Sequence, residues 1–283
     1  MKSSSHRLSL MMTIYALSAA ICALLPPPRV VASRGSTTEL LVPVSTTLSV
    51  HLLEADVTAQ AGLVAAALES DAPPGTPIDD PYGVVLWPAA QAVASSIASL
   101  ELTGKRVLEL GCGTGLCTLT AAARGASVLA TDYREEPFSL LRASTLRTSA
   151  HLARELDVRT AVLDIKDSAT PLPPAHYVVA ADLLYLKSTS VALARRCIEA
   201  LRSADCEAVI VGDLGRPGRN AFVEELRAGG VRCAAAQFNP IESWTAGTAR
   251  HELVSATPKQ GEQPGPRSVN VGLMQLVPCD LTA

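Results

Sequence analysis

The chain has 283 residues, of which 48% are hydrophobic and 18% are charged. This balance predicts a folded globular protein with one sizeable core, and it excludes a disordered chain. The formal net charge is −3, from 24 basic and 27 acidic residues, and the absence of a basic run argues against a nucleic-acid partner.

The first segment, residues 1–32, is typical of a targeting leader. Two basic residues precede an apolar run at residues 8–25, which ends at three consecutive prolines. Val30 and Ala32 have the spacing that a signal peptidase prefers, which predicts cleavage before Ser33. The apolar run is also just long enough to cross a membrane. A cleaved leader and a retained membrane anchor therefore both remain open, and membrane contact is expected only if the run is retained.

The residues after the apolar run favour an organelle as the destination. No acidic residue precedes Glu39, and the intervening segment is rich in serine and threonine. This pattern resembles a secretory signal followed by a transit peptide, as in algae with complex plastids. Mitochondrial import and an ordinary secretory signal remain alternatives. Removal of residues 1–32 takes away three basic residues and no acidic one, which leaves 21 basic and 27 acidic residues and a net charge of −6.

Seven cysteines are present without a C-x-x-C pair, and the histidines lack metal-ligand spacing. The sequence therefore predicts neither a metal site nor a disulfide framework. Most of the cysteines have apolar neighbours, as expected for buried thiols in a reducing compartment. We expect a monomer.

Two further units are expected after the leader. Residues 33–80 form an N-terminal extension, with an extended pair and then a helix at about 56–70. A loop rich in proline, glycine and aspartate follows at residues 71–83. The main domain is expected at residues 81–283, and Pro88 is suited to the first turn of its first helix, at residues 88–100.

Strands and helices alternate through the main domain. The strands are predicted at Arg106–Leu110, Ser127–Thr131, Val158–Leu163, Tyr177–Ala181, Ala208–Val211 and Val231–Phe238. The helices are predicted at Leu116–Ala123, Pro137–His151, Thr189–Leu201 and Arg219–Ala228. A last strand at 268–277 follows an insertion at 259–267, and an antiparallel hairpin at the sheet edge would accommodate it. The predicted fold class is α/β, a Rossmann-like seven-stranded, mostly parallel sheet with helices on both faces and an antiparallel last strand.

A glycine-rich turn follows the first strand of this alternation. Gly111, Gly113 and Gly115 are spaced G-x-G-x-G, and Glu109 precedes them by two residues. A dinucleotide fingerprint would place its third glycine one position later, where Leu116 stands. An acid at the strand end would also repel a pyrophosphate. S-adenosylmethionine lacks phosphate and carries a sulfonium cation, so the turn favours S-adenosylmethionine over a nicotinamide dinucleotide.

Further acidic residues end the next three strands. Asp132 is positioned to accept hydrogen bonds from ribose hydroxyls, and Asp164 to meet an adenine amino group. Asp182 ends the fourth strand. The alternative interpretation is that each acid is a helix cap or a surface residue. Acids at successive carboxyl ends face the crevice where open sheets bind ligands, which favours a binding site.

The motifs of this region resemble those of the lysine methyltransferase family, within the seven-strand S-adenosylmethionine-dependent methyltransferases. The matching segments are "YGVVLWPAAQAVASSI" (82–97), "ELGCGTG" (109–115) and "ADLLY" (181–185). "VIVGDLGRPGR" (209–219) is similar to a segment of the electron-transfer flavoprotein beta-subunit lysine methyltransferases. Two positions depart from the family pattern: Leu214 replaces a proline of that segment, and Gly83 replaces a tryptophan.

The resemblance implies methyl transfer to the side-chain amine of a lysine in a protein substrate. It assigns catalytic roles to Asp182, which would orient the amine, and to Tyr185, which would border the acceptor channel. It also implies a set of cofactor-binding residues for S-adenosylmethionine: Trp87, Glu109, Gly111, Gly113, Gly115, Asp132, Asp164 and Ala181. The alternatives are a small-molecule N- or O-methyltransferase and a non-catalytic binding protein with the same fold. Asp213, Arg216 and Arg219 either shape the substrate rim or form a rigid turn.

Overall fold

The computed structural model describes residues 25–68, 81–244 and 268–281. Most of the predicted leader, most of the loop at 71–83 and the insertion at 259–267 lie outside these ranges. Within the described ranges, no helix combines the length and the apolar character that a membrane span requires. The six cysteines in these ranges are free thiols.

The main sheet has seven strands, which are β4 (Arg106–Leu110), β5 (Ser127–Asp132), β6 (Val158–Val162), β7 (Tyr177–Ala181), β8 (Ala208–Asp213), β9 (Asn239–Trp244) and β10 (Ser268–Leu276). Their order across the sheet is β6-β5-β4-β7-β8-β10-β9. The first five pair in parallel, and β10 is antiparallel to both β8 and β9. The predicted fold class is confirmed, including the antiparallel hairpin at the sheet edge.

Six α-helices lie in the described ranges. They are α1 (Val57–Leu68), α2 (Pro88–Ala98), α3 (Leu116–Ala123), α4 (Glu136–Leu152), α5 (Lys187–Arg202) and α6 (Arg219–Ala228). Short 3-10 turns occupy Pro81–Val84 and Pro278–Asp280. Pro88 stands in the first turn of α2, where its missing N–H costs nothing. The predicted helices are confirmed within about two residues at either end.

The main sheet carries one apolar core on each face. Along β7, Val179 faces the core that contains α2 and α3, while Val178 and Ala180 face the core that contains α5 and α6. Along β8, Ile210 packs into the first core and Val209 into the second. Strands buried on both faces read as continuous apolar runs, which is why the sequence signals a parallel sheet.

The predicted strand at Val231–Phe238 is wrong. Val231 makes a single bridge to Leu281, and the chain then turns, because the amides of Ala235 and Ala236 both donate to the carbonyl of Arg232. The strand begins later, at Asn239, where residues 239–244 pair in full with β10. Its proline, Pro240, is tolerated because β9 is the edge strand.

A second sheet, of three antiparallel strands, precedes the main domain. It contains β1 (Arg29–Arg34), β2 (Thr37–Pro43) and β3 (Ser49–Ala55), in that order. The predicted extended pair and its helix are confirmed by β2, β3 and α1. The predicted cleavage point before Ser33 lies inside β1, so the assignment of residues 1–32 as a leader stays a prediction.

The three-stranded sheet packs against α4 of the main domain. The amide of Leu53 in β3 donates to Ser144 Oγ at 2.8 Å, and the amide of His51 donates to Thr148 Oγ1 at 3.0 Å. Ser144 is fully buried at this junction. The extension is therefore continuous with the core that covers one face of the main sheet.

Candidate active site

An open cavity of about 780 Å³ lies at the carboxyl ends of β4, β5, β6 and β7. Open parallel sheets bind their ligands at this edge. The lining residues are Gly83, Trp87, Gly111, Gly113, Asp132, Tyr133, Leu163, Asp164, Ile165, Lys166, Ala181, Asp182, Leu183, Tyr185 and Thr189. The cavity thus brings together eight of the ten residues that the resemblance implies.

The glycine turn contributes bare backbone to the cavity wall. Gly111 and Gly113 have φ values of +64° and +49°, a backbone conformation that residues other than glycine rarely adopt. A Cβ atom on Gly113 would lie 3.1 Å from the carbonyl oxygen of Gly83. The close approach of the turn to the 3-10 turn at 81–84 therefore requires glycine at this position.

Two of the predicted cofactor residues, Glu109 and Gly115, do not line the cavity. Glu109 Oε2 accepts hydrogen bonds from the amide and the hydroxyl of Thr118, in the first turn of α3. The amide would otherwise be an unpaired donor at the helix start. Burial raises the pKa of the Glu109 carboxyl to about 7, although the Thr118 hydrogen bonds oppose the shift. Gly115 starts α3 at φ +83°, packed against Leu141.

Asp132, at the end of β5, holds the glycine turn from the opposite side. Its Oδ2 accepts a hydrogen bond from the amide of Gly113 at 3.1 Å, and its Oδ1 accepts one from the backbone amide of Arg134 at 3.3 Å. Burial raises the pKa of the Asp132 carboxyl against these hydrogen bonds. Asp164, after β6, is more exposed and accepts a hydrogen bond from the amide of Lys166 at 2.8 Å.

Asp182 lines the cavity directly after Ala181 of β7, on the other side of the glycine turn from Asp132. Its φ is +60°, an uncommon backbone conformation for a residue with a side chain. Such outliers concentrate at functional sites, where the surrounding structure holds them in place. The amide of Asp182 donates to the carbonyl of Gly212 at 2.9 Å, which fixes this conformation against β8.

The Asp182 carboxylate forms a two-point ion pair with Arg216. The Arg216 Nε and a terminal nitrogen donate to its two oxygens at 2.8 and 3.2 Å, and the carboxylate is 1% exposed. Burial raises the pKa of Asp182, and the Arg216 charge opposes that rise. The Arg216 guanidinium also stacks over Trp87, 4.9 Å from the ring centroid.

Several lining residues were not foreseen from the sequence. Tyr133 follows Asp132 directly, and Thr189 lies four residues after Tyr185, in the first turn of α5, so both positions could have been found by extending the motifs. The Thr189 hydroxyl is buried, and it has no hydrogen-bond partner among the described residues. Among those residues, no group of three or more His, Cys, Asp or Glu side chains is arranged to hold a metal ion.

Comparison of the sequence with models of known protein families shows which family the chain belongs to. Residues 78–227, more than half of the chain, match the model of the family described as lysine methyltransferase. The chain belongs to the lysine methyltransferase family. The matched segment contains every residue that lines the cavity, from Gly83 to Thr189, and it also contains the Asp182–Arg216 pair.

Individual members of the family are similar at moderate identity. The Danio rerio protein N-lysine methyltransferase METTL21A is 32% identical over 147 residues, which are 50% of this chain and 66% of that protein. The Bos taurus protein-lysine methyltransferase METTL21E is 31% identical over 38% of this chain and 39% of that protein. The Xenopus laevis electron transfer flavoprotein beta subunit lysine methyltransferase is 29% identical over 50% of this chain and 55% of that protein. The chain thus spans about two thirds or less of the length of these relatives.

Proposed function

We propose that this protein transfers a methyl group from S-adenosylmethionine to the side-chain amine of a lysine in a protein substrate. The observation that carries the proposal is one cavity with two chemically different sides. Asp132 and Asp164 follow β5 and β6 on one side of the glycine turn after β4, and Asp182 and Tyr185 follow β7 on its other side. Membership of the lysine methyltransferase family supports the same reaction.

The glycine turn and the Asp132 side fit the proposed cofactor. Gly111 and Gly113 present bare backbone to the cavity, which lets a ligand approach the main chain closely. A carboxylate at Asp132 can accept hydrogen bonds from ribose hydroxyls, and Trp87 and Tyr133 offer aromatic surfaces. Asp164 lines the same cavity and can accept a hydrogen bond from the adenine amino group of the cofactor. When bound, S-adenosylmethionine supplies a methyl group on a positively charged sulfur.

The Asp182 side fits a lysine amine as the acceptor. An unperturbed lysine has a pKa of about 10.4, so its amine must lose a proton before it can act as a nucleophile. The Asp182 carboxylate can accept a hydrogen bond from the amine and orient it, while the Tyr185 ring borders the channel. The residues contribute mainly by positioning the amine and by excluding water.

The proposal is tested by labelling proteins with S-adenosylmethionine that carries a deuterated methyl group. Purified protein is incubated with the cofactor and an extract of the source cells, and the products are separated by size and analysed by mass spectrometry. We expect deuterated methyl groups on lysine side chains of one or a few proteins. The matched control is Asp182→Asn, which we expect to bind the cofactor without labelling any protein.

Two other outcomes would favour the alternatives. Label found only in low-mass compounds would indicate a small-molecule N- or O-methyltransferase, since the same fold serves many acceptors. Failure of the folded protein to bind S-adenosylmethionine in calorimetry would indicate a non-catalytic binding protein.

We also propose that the protein acts as a monomer in an organelle, with a plastid as the first candidate. The support is the apolar run at 8–25 and the absence of acids before Glu39. Retention of the run would instead anchor the protein to a membrane. Fusion of the first 50 or so residues to a fluorescent protein tests the address, and sequencing of the mature N-terminus tests the cleavage before Ser33.

A further inference from the structure

Arg216 contacts two residues of the cavity wall. It binds Asp182 through two hydrogen bonds, and its guanidinium stacks on Trp87. Both Asp182 and Trp87 line the cavity. A single side chain thus links two lining residues that are 95 positions apart in the sequence.

Arg216 is itself held firmly by the loop after β8. Its amide and that of Gly215 donate to the carboxylate of Asp213, at 3.2 and 2.9 Å. The amide of Gly218 donates to the carbonyl of Leu184 at 2.9 Å, and a Cβ atom on Gly218 would overlap Ser190 Oγ. The loop is therefore pressed against the segment that follows Asp182, which fixes the position of the guanidinium.

The charge of Arg216 affects the chemistry of the acceptor. A lone buried carboxylate beside a lysine amine would stabilise the protonated ammonium, which has no lone pair for attack. A guanidinium that already shares both carboxylate oxygens reduces this stabilisation, while lone pairs remain to accept a hydrogen bond. The pair can therefore orient the amine without holding its proton.

We propose that Arg216 is a positioning residue that fixes the Asp182 carboxylate and offsets its charge, so that the acceptor amine reacts in its neutral form. The inference rests on the proposed function. In the step, the amine loses a proton to solvent and forms the N–C bond with the methyl group. The C–S bond breaks, and its electron pair stays on sulfur.

The test is the pH dependence of methylation by Arg216 variants. Bulk protein of the extract serves as the substrate, and methyl-lysine is measured after hydrolysis. We expect Arg216→Gln to lower the rate roughly 10- to 100-fold near pH 7, because the amine stays protonated beside an uncompensated carboxylate. The defect should shrink as the pH is raised toward about 10.4, the pKa of an unperturbed lysine, because more of the amine is then neutral without help from Arg216. Arg216→Lys keeps the positive charge, so we expect it to keep most of the wild-type pH dependence of the rate, although lysine cannot make the two-point contact.

The Arg216 variants leave the other ionisable residues around the cavity unmutated. Near Asp182 they are Tyr185, Asp213 and Arg219, which pairs with Asp213, and along the rest of the cavity Asp132, Tyr133, Asp164 and Lys166. Arg195→Met is the matched control, because it breaks an exposed ion pair with Glu225, outside the cavity. We expect it to leave the pH profile unchanged. Arg216→Met provides a second neutral variant, and thermal unfolding shows which variants are folded.

Two results would overturn the inference. One is a rate for folded Arg216→Gln or Arg216→Met that equals that of wild type. The other is a defect of the same size at every pH, which would indicate a structural role only. A wild-type protein that leaves lysine unmethylated would instead refute the proposed function, and with it this inference. Failure of this inference and failure of the proposed function are distinguishable, because failure of the proposed function is visible in the wild-type protein alone.

Discussion

The amide of Gly113 donates a hydrogen bond to the carboxylate of Asp132 at 3.1 Å. This contact joins the glycine turn after β4 to the end of β5, and both residues line the cavity. The left-handed backbone at Gly113 aims its amide at Asp132, so the shape of the cavity at the glycine turn depends on this one conformation.

Gly113→Ala should therefore impair cofactor binding. Its Cβ atom would approach the Gly83 carbonyl to 3.1 Å, which displaces the wall of the cavity. We expect the affinity for S-adenosylmethionine, measured by calorimetry, to fall by roughly 30-fold or more, about 2 kcal/mol. Gly104→Ala is the control, because Gly104 has a φ of +73° but no atom within 4 Å of the added carbon. Equal cofactor affinities in the two variants would contradict this account.

Asp182→Asn should separate cofactor binding from methyl transfer. Asparagine adopts the left-handed conformation more readily than most residues, so the φ of +60° at this position is preserved. The asparagine side chain cannot form the ion pair with Arg216, and its oxygen accepts a weaker hydrogen bond from the acceptor amine. We expect cofactor affinity within about threefold of wild type, and methylation reduced roughly 100-fold or more. A rate close to that of wild type would rule out the role of Asp182.

Much of the fold could be predicted from the sequence because local signals are strong. The strands Arg106–Leu110 and Tyr177–Ala181 agree with prediction to the residue, since each is a short segment rich in valine, leucine or alanine that is followed at once by a glycine or an aspartate. The failure at Val231–Phe238 has a local cause as well. This segment is apolar but closes a turn at Arg232, and periodicity alone does not separate a turn from a short buried strand.

The side-chain geometry of the site was less predictable. Glu109 carries the expected charge at the expected strand end, yet it binds the start of α3 rather than facing the cavity. The stack of Arg216 on Trp87 depends on the order of β7 and β8 and on the packing of α2 across them. Contacts between residues so distant in sequence leave no pattern in a single chain.

The junction of β3 with α4 gives a prediction about stability. The amide of Leu53 donates to Ser144 Oγ at 2.8 Å in a fully buried position. Ser144→Ala would leave this amide without a partner, which costs about 1–3 kcal/mol. We expect the urea unfolding midpoint to fall accordingly. Ser139→Ala removes an exposed hydrogen bond on the same helix, and we expect it to change stability by less than about 0.5 kcal/mol. A junction that contributes no stability would give the two variants the same midpoint.

Glu54 should make stability depend on pH. Its Oε2 accepts a hydrogen bond from the amide of Leu86 at 2.9 Å, and its Oε1 has no partner among the described residues. Burial raises the pKa of this carboxyl from 4.5 to about 8, against the Leu86 hydrogen bond. The folded state thus keeps a proton that the unfolded state has lost between these values. The contribution to stability is fully present below about pH 4.5 and is lost as the pH rises through about 8.

Glu54→Gln should remove this dependence, because glutamine keeps the hydrogen bond to Leu86 and does not titrate. We expect the Tm of wild type to fall relative to that of Glu54→Gln by several degrees between about pH 5 and about pH 8. Glu109 shifts in the same direction, with a pKa of about 7, but it is present in both proteins and cancels in the difference. Thermal unfolding followed by circular dichroism measures both curves. Parallel curves across this range would mean that Glu54 is already ionised in the folded protein.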